Sequence, residues 1–285
     1  MIIFKQARDL QQYLDNPGRR DKTLGFAPTM GALHQGHISL IEASLSRCDL
    51  TLCSIFVNPT QFNDPADFAK YPVTMEADIA LLEKAGCDIL FLPSVEEMYP
   101  EGLTTSLHYP LGRLEEIYEG RHRPGHFQGV CRIVHKLLDA TQPHLLFLGQ
   151  KDYQQCMVIE KLIQLRNMPV KVEICPTLRE ENGLAMSSRN ARLSPEERKQ
   201  AAAISEAMRE IAQQINPGNT APFTQRAAQK LADAGFRVDY FDIADAITLE
   251  PVAAWDGQHP LVMLVAAFLG EVRLIDNGPI PAKTS

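Results

Sequence analysis

Through the first 175 residues, short apolar runs alternate with longer stretches of a different period. The runs TLGFA (23–27), LTLCSIFV (50–57), DILFLP (88–93), HLLFLG (144–149) and VKVEIC (170–175) are rich in β-branched and aromatic residues and are bounded by Pro, Gly or Asn, which predicts strands. Between them, HISLIEASLSRC, EADIALLEKAG, FQGVCRIVHKLLDA and YQQCMVIEKLIQLRN repeat apolar residues every three or four positions, the period of a helix with one buried face. Strands that are apolar throughout need cover on both faces. Alternation with helices therefore predicts an α/β fold over residues 1–176, a Rossmann-like parallel sheet with helices on both faces.

After Cys175 the texture changes. PTLREENGLAMSSRNARLSPEE is polar and rich in turn formers, and reads as a hinge. Helical periods at 195–214 and 222–235 surround INPGNTAP, and FRVDYFDIAD and PLVMLVAAFLGEVRLIDN follow. Helix, helix, strand, strand fits a smaller C-terminal α+β domain, residues 177–285, acting as a lid. A chain of 285 residues is long for a single core, which supports two unequal domains.

The formal charge of −7 argues against nucleic-acid or membrane partners, because both favour a basic surface. An anionic ligand must be met locally. Cys48, Cys53, Cys87, Cys131, Cys156 and Cys175 form no C-x-x-C pair, and most lie in apolar stretches. They read as reduced thiols of a cytoplasmic protein, used as small core residues. Lys5 and Arg8 interrupt the opening apolar residues, so no signal peptide is expected. The longest apolar run, 261–269, is about half of what a membrane helix needs.

Five segments carry the chemistry. In PTMGALHQGHISLI (28–41) a strand should end at Pro28, a turn should hold Gly31 and Gly36, and a helix should begin near His37. The carboxyl end of a parallel strand is where open α/β sheets bind ligands, and a helix N-terminus there offers N–H groups to phosphate. His34 and His37 can face that place as neutral or charged donors, strengthening as a pentavalent phosphate forms. A metal pair fits less well, lacking the H-E-x-x-H glutamate and a third ligand. A decorated turn is the third reading. SIFVNPTQF (54–62) brings Asn58 and Gln61, amides suited to a hydroxyl or carboxylate. EGRHRPGHFQG (119–129) crowds Arg121, His122, Arg123 and His126 into either a solvated or an anion-binding loop. FLGQKDYQQ (147–155) repeats strand, glycine and helix, with Asp152 marking the helix start, Lys151 as a mobile charge and Gln155 a turn further on. LAMSSRN (184–190) reads as a flexible phosphate clamp or an ordinary Ser-rich loop. Neither a P-loop nor a dinucleotide fingerprint is present.

HQGH and MSSRN resemble the HIGH and KMSKS signatures of the nucleotidyltransferase superfamily. Together, PTMGALHQGHISLI, SIFVNPTQF, RPGHFQGV, FLGQKDYQQ and GLAMSSRN resemble, in order and spacing, the pantoate–β-alanine ligase (pantothenate synthetase) family over nearly the whole chain. The resemblance implies that ATP and (R)-pantoate give pantoyl adenylate and pyrophosphate, and that β-alanine then attacks to give pantothenate, a precursor of coenzyme A, and AMP. It implies Mg²⁺ beside ATP, and a homodimer. By matching position, the ATP site would comprise Met30, Gly31, Ala32, Leu33, His34, Gln35, Gly36, His37, Gly149, Gln150, Lys151, Asp152, Met186, Ser187, Ser188 and Arg189. His34, His37 and Lys151 would be catalytic, with His37 as proton donor. Gln61 and Gln155 would bind pantoate, Gln61 also lying near β-alanine, with Asn58 and Arg123 in the same pocket. Asp78 would lie near Mg²⁺; no metal-ligand set is assigned. Where some members carry Glu, this chain has Gln150, with little expected consequence.

Three alternatives are less well matched. A transferase acting on a phosphate acceptor would want more basic residues there than Gln61 and Gln155. A module that only binds nucleotide has no need of both histidines, Lys151 and the Ser-Ser-Arg loop together. A tRNA-charging enzyme would need a basic anticodon-binding domain, and none is visible.

Overall fold

In the computed structural model, which describes residues 1–283, the chain divides in two: Met1–Gln150 with Gln154–Pro176, and Lys151–Tyr153 with Thr177 onward. The first unit begins with β1 (Ile2–Phe4), α1 (Ala7–Leu14), β2 (Leu24–Thr29), α2 (Gln35–Leu45) and β3 (Leu50–Ile55). It continues through α3 (Pro65–Ala69), α4 (Met75–Ala85), β4 (Ile89–Phe91), α5 (Val95–Met98), α6 (Tyr118–His122) and α7 (His126–Thr141). β5 (Leu145–Gly149), α8 (Tyr153–Arg166) and β6 (Lys171–Cys175) complete it, the first residue of α8 counting with the second unit.

The six strands form one parallel sheet in the order β1-β4-β3-β2-β5-β6. From β2 the chain steps outward through β3 to β4, then returns to place β5 on the other side of β2. That reversal opens a crevice at the carboxyl ends of β2 and β5, the usual ligand position in such sheets. Successive residues of each strand face opposite layers. Phe26, Leu52, Ile89 and Leu146 pack with Leu10, Leu138, Ile159 and Leu162, from α1, α7 and α8. Ala27, Cys53, Leu90 and Phe147 pack with Ile41 and Leu82, from α2 and α4. The cysteines are free thiols; burial pushes Cys87 up to about 11 and Cys131 up to about 12.

The second unit contains α9 (Pro195–Gln200), α10 (Ala203–Gln214), β7 (Gly218–Asn219), α11 (Ala221–Asp233), β8 (Arg237–Asp245), β9 (Ala254–Trp255), β10 (Leu261–Leu269) and β11 (Val272–Ile280). β8, β10 and β11 form an antiparallel sheet with β10 in the centre. Its buried face, including Met263, Val265 and Leu274, packs with Ile204, Met208, Ile211 and Leu231 of α10 and α11. The run 261–269 is thus a central strand. No helix among the described residues is long and apolar enough to cross a membrane. Lys151–Tyr153 is tied into this unit by two bonds: Asn277 Nδ2 donates to the Lys151 carbonyl at 2.8 Å, and the Tyr153 hydroxyl to that of Ala246 at 2.7 Å.

Candidate active site

Between β2 and α2 the chain turns through two consecutive left-handed residues, Gly31 (φ 82°) and Ala32 (φ 49°). The amides of Gly31, Ala32 and Leu33 each have an acceptor. Gly31 N–H donates to Thr29 Oγ1 at 3.2 Å, and the Thr29 hydroxyl donates to the Ser54 carbonyl on β3 at 2.8 Å. Ala32 and Leu33 N–H donate to the two carboxylate oxygens of Asp78, at 2.9 and 2.8 Å. Asp78 is buried in the first turn of α4, where the Thr74 hydroxyl also reaches it at 3.0 Å.

Helix α2 starts at Gln35, earlier than the expected start near His37, because His34 is its N-cap. His34 Nδ1 accepts the Gly36 N–H at 3.1 Å, and His37 Nδ1 accepts the His34 N–H at 3.3 Å. Two imidazoles thus form a reciprocal capping box, their centroids 4.0 Å apart. With Nδ1 accepting in both rings, the proton of each neutral ring sits on Nε2. Of the two states open from sequence, this geometry selects the neutral donor, because a proton on Nδ1 would face a backbone N–H. It also changes the expected phosphate cradle: the Ala32, Leu33 and Gly36 amides are engaged within the protein.

The segment after β3 is built around Asn58, which is 1% exposed. Its Oδ1 accepts from the Thr60 N–H and hydroxyl and from the Tyr99 hydroxyl at 2.7 Å; its Nδ2 donates to Gln61 Oε1 at 2.9 Å and the Gly129 carbonyl at 3.2 Å. Burial pushes the Tyr99 phenol up, keeping it a donor. Asn58, expected in the substrate pocket, has its amide saturated by protein partners and acts as a brace for Gln61. With Oε1 held, Gln61 directs Nε2 toward Met30 Sδ at 3.4 Å.

The basic run does not form one anion-binding surface. Arg121 and His122 are exposed at the end of α6, whereas His126 is buried at the start of α7. His126 Nδ1 donates to the Gln61 carbonyl at 2.8 Å, leaving Nε2 to accept from Arg123 Nη1 at 3.2 Å. Arg123 also reaches Asn63 Oδ1 at 3.4 Å and lies 3.9 Å from Glu119. Arg123 and His126 therefore brace the Gln61 backbone.

After Gly149, a 3-10 turn over Gln150–Asp152 precedes α8, so Asp152 lies inside that turn rather than at a simple cap. Lys151 Nζ is 3.8 Å from Asp152 Oδ1. On α8, Gln154 is buried and bonded to the Glu119 N–H and to the carbonyls of Leu114 and Ile117. Gln155, about 100° around the helix, is half-buried.

In the second unit, the segment holding Met186, Ser187, Ser188 and Arg189 is a built turn rather than a slack clamp. Arg179 and Ala185 form a bridge, and Ser187 Oγ accepts the Arg189 N–H at 3.3 Å. Buried Asn190 donates to Glu180 Oε1 at 2.9 Å and the Ala185 carbonyl at 3.0 Å. Arg179 makes a bidentate pair with Asp276 at 2.6 and 3.1 Å. Burial pushes the Asp276 carboxyl up, against the pull of Arg179. Its neighbour Asn277 holds Lys151, so β11 supports both the lysine and the turn.

No group of three or more His, Cys, Asp or Glu side chains among the described residues could hold a metal. Asp78, expected near Mg²⁺, has both oxygens taken by backbone amides. Sequence reasoning missed its clamp, the inward role of His126, and Tyr99 and Asn277 altogether. Each acts on a residue far away in the chain, which spacing cannot signal.

A family model described as pantoate-beta-alanine ligase matches residues 2–279. Pantothenate synthetases of Porphyromonas gingivalis and Bacteroides thetaiotaomicron are 43% and 46% identical over 279 and 281 residues, covering 97% of this chain and 98% of each relative. The crystal structure of pantothenate synthetase from Thermus thermophilus is similar with TM-score 0.88 at 41% identity, covering 97% of this chain and 98% of that one. Pantoate-beta-alanine ligase from Francisella tularensis, complexed with beta-gamma ATP and beta-alanine, gives TM-score 0.83 at 36% identity, covering 98% and 97%.

Proposed function

We infer the residue roles that follow from one premise: this chain belongs to the pantoate–β-alanine ligase family, and condenses (R)-pantoate with β-alanine at the expense of ATP, through a pantoyl adenylate. Pantoate needs no base, since a carboxylate with a pKa of about 4 is ionised at neutral pH. Its oxygen bonds to the α-phosphorus as the bond to pyrophosphate breaks. β-Alanine, as the free amine, then attacks the acyl carbon; the acyl–oxygen bond to AMP breaks, and the nitrogen gives up its proton to solvent.

The first step needs alignment and relief of the charge gathering on the phosphates. We assign that relief to the Nε2–H donors of His34 and His37, to Lys151 as a point charge, and to Arg189. The observation carrying this assignment is the pair of imidazoles at the end of β2, each tied at Nδ1 to a backbone amide. In this geometry Nε2–H is a hydrogen-bond donor. Transferring that proton from His37, as the resemblance implies, requires Nδ1 to take one in exchange and breaks its bond to His34.

The remaining residues of Met30–His37, with Gly149, Gln150 and Asp152, are proposed to surround ATP; Met186, Ser187 and Ser188 are proposed to contact its phosphates. Gln61 and Gln155 are assigned to pantoate, Gln61 held by Asn58, and Arg123 supporting it through His126. A neutral amide orients the carboxylate without the strong pairing that would blunt it as a nucleophile. Mg²⁺ is proposed to enter with ATP as the counter-ion of its phosphates, the usual mode for this ion. Family membership also supports a cytoplasmic homodimer.

Pantoate-dependent exchange of pyrophosphate into ATP, followed by AMP release on adding β-alanine, tests the reading. Lys151→Ala is expected to slow exchange on the order of 10²–10³-fold. No exchange in well-folded wild-type protein would overturn the reaction, and a change below about threefold in the variant would remove Lys151 from it.

A further inference from the structure

We propose that Asp78 is a positioning residue for adenylation: its buried carboxylate fixes the turn that aims His34 and His37. This rests on the reading of those histidines as phosphate donors. Asp78 is 2% exposed, and three donors converge on it: Ala32 N–H on one oxygen, Leu33 N–H and the Thr74 hydroxyl on the other. Successive amides on a left-handed turn make a concavity that takes an anion. Here the anion is the protein's own.

Two consequences follow. First, Leu33 directly precedes the His34 cap, so fixing its amide fixes where the cap begins and where both rings point. The fit has little slack, because a Cβ on Gly31 would lie 3.1 Å from both Asp78 Oδ2 and Ile55 Cγ2. Second, Asp78 occupies amides that a nucleotide phosphate would otherwise claim, directing phosphate to the imidazole edges. An asparagine cannot satisfy both amides, since its NH₂ would face one of the N–H groups.

The Asp78→Asn variant separates positioning from charge and from general structure. A negative charge that merely repelled ATP would, once removed, lower KM for ATP and leave or raise the exchange rate. Positioning requires the opposite: pantoate-dependent exchange falling about 10–10²-fold, the scale of a small misplacement. Aminolysis of supplied pantoyl adenylate by β-alanine, which involves no β- or γ-phosphate, should stay within about threefold. Added to a variant already carrying His34→Ala and His37→Ala, Asp78→Asn should bring little further loss, since it acts through those two rings. Thr74→Val keeps the carboxylate and removes only one donor; it should slow exchange about 2–5-fold with aminolysis preserved, and carries the test if the asparagine variant does not fold.

Unchanged or faster exchange, or equal loss in both half-reactions, overturns the proposal. His37→Ala in the same assays separates the two levels. If it leaves exchange intact, the histidine reading fails; if it impairs exchange while the Asp78 and Thr74 variants do not, only the role of Asp78 fails.

Discussion

His34 has two duties that one substitution can separate. As N-cap it accepts the Gly36 N–H; in the proposed function its ring offers Nε2–H to phosphate. Asparagine is among the best N-caps and retains an acceptor at that place. His34→Asn should therefore leave stability within about 0.5 kcal/mol of wild type, while exchange falls on the order of 10²–10³-fold. Thermal melts and exchange rates on the same preparation check this; a destabilised protein with a normal rate per folded molecule would reverse the assignment. His34, His37, Gln61 and Lys151 stood out as candidates because their chemistry stands beside a strand end in the sequence. The Asp78 clamp did not: the resemblance placed that carboxylate only near Mg²⁺, and its amide partners lie 45 and 46 positions away. Asn58 was legible as a polar residue near the site but not as a saturated brace.

At the scale of elements, the contact between α7 and the Pro59–Gln61 turn controls Gln61. Gly129 lets the two backbones meet: a Cβ there would lie 2.2 Å from the Thr60 carbonyl oxygen and 2.7 Å from Gln61 Cα. Gly129→Ala should cost about 1–3 kcal/mol, as overpacking does, and raise KM for pantoate more than KM for ATP. Melting curves and steady-state kinetics test it; the reverse KM pattern would place Gln61 on the wrong substrate. The buried strands were legible because both their faces are apolar. β1 was not, being a three-residue edge strand with Ile2 and Ile3 exposed. The helical period across 195–214 concealed the break between α9 and α10, since Ala201 and Ala202 fit either side of a turn. The start of α2 shifted because a histidine, which propensity does not favour as a cap, became one.

For the whole molecule, alternating strands and helices disclosed the parallel α/β layer, and the order helix, helix, strand, strand a smaller α+β part, whose antiparallel pairing only the structure shows. They did not disclose strand order, which comes from pairing between distant segments; the reversal at β2 and β5 that forms the crevice became visible only in the fold. The acidic balance, with a formal charge of −7, is compatible with an anionic substrate if, as proposed, local donors rather than the global field meet it. Adenylation requires that the pantoate carboxylate itself attack the α-phosphorus of ATP. Turnover of ¹⁸O-carboxylate pantoate with ATP and β-alanine, read by mass spectrometry of the products, tests it most directly: each AMP should carry one ¹⁸O atom and pyrophosphate none. Unlabelled AMP, or label in pyrophosphate or inorganic phosphate, would contradict it.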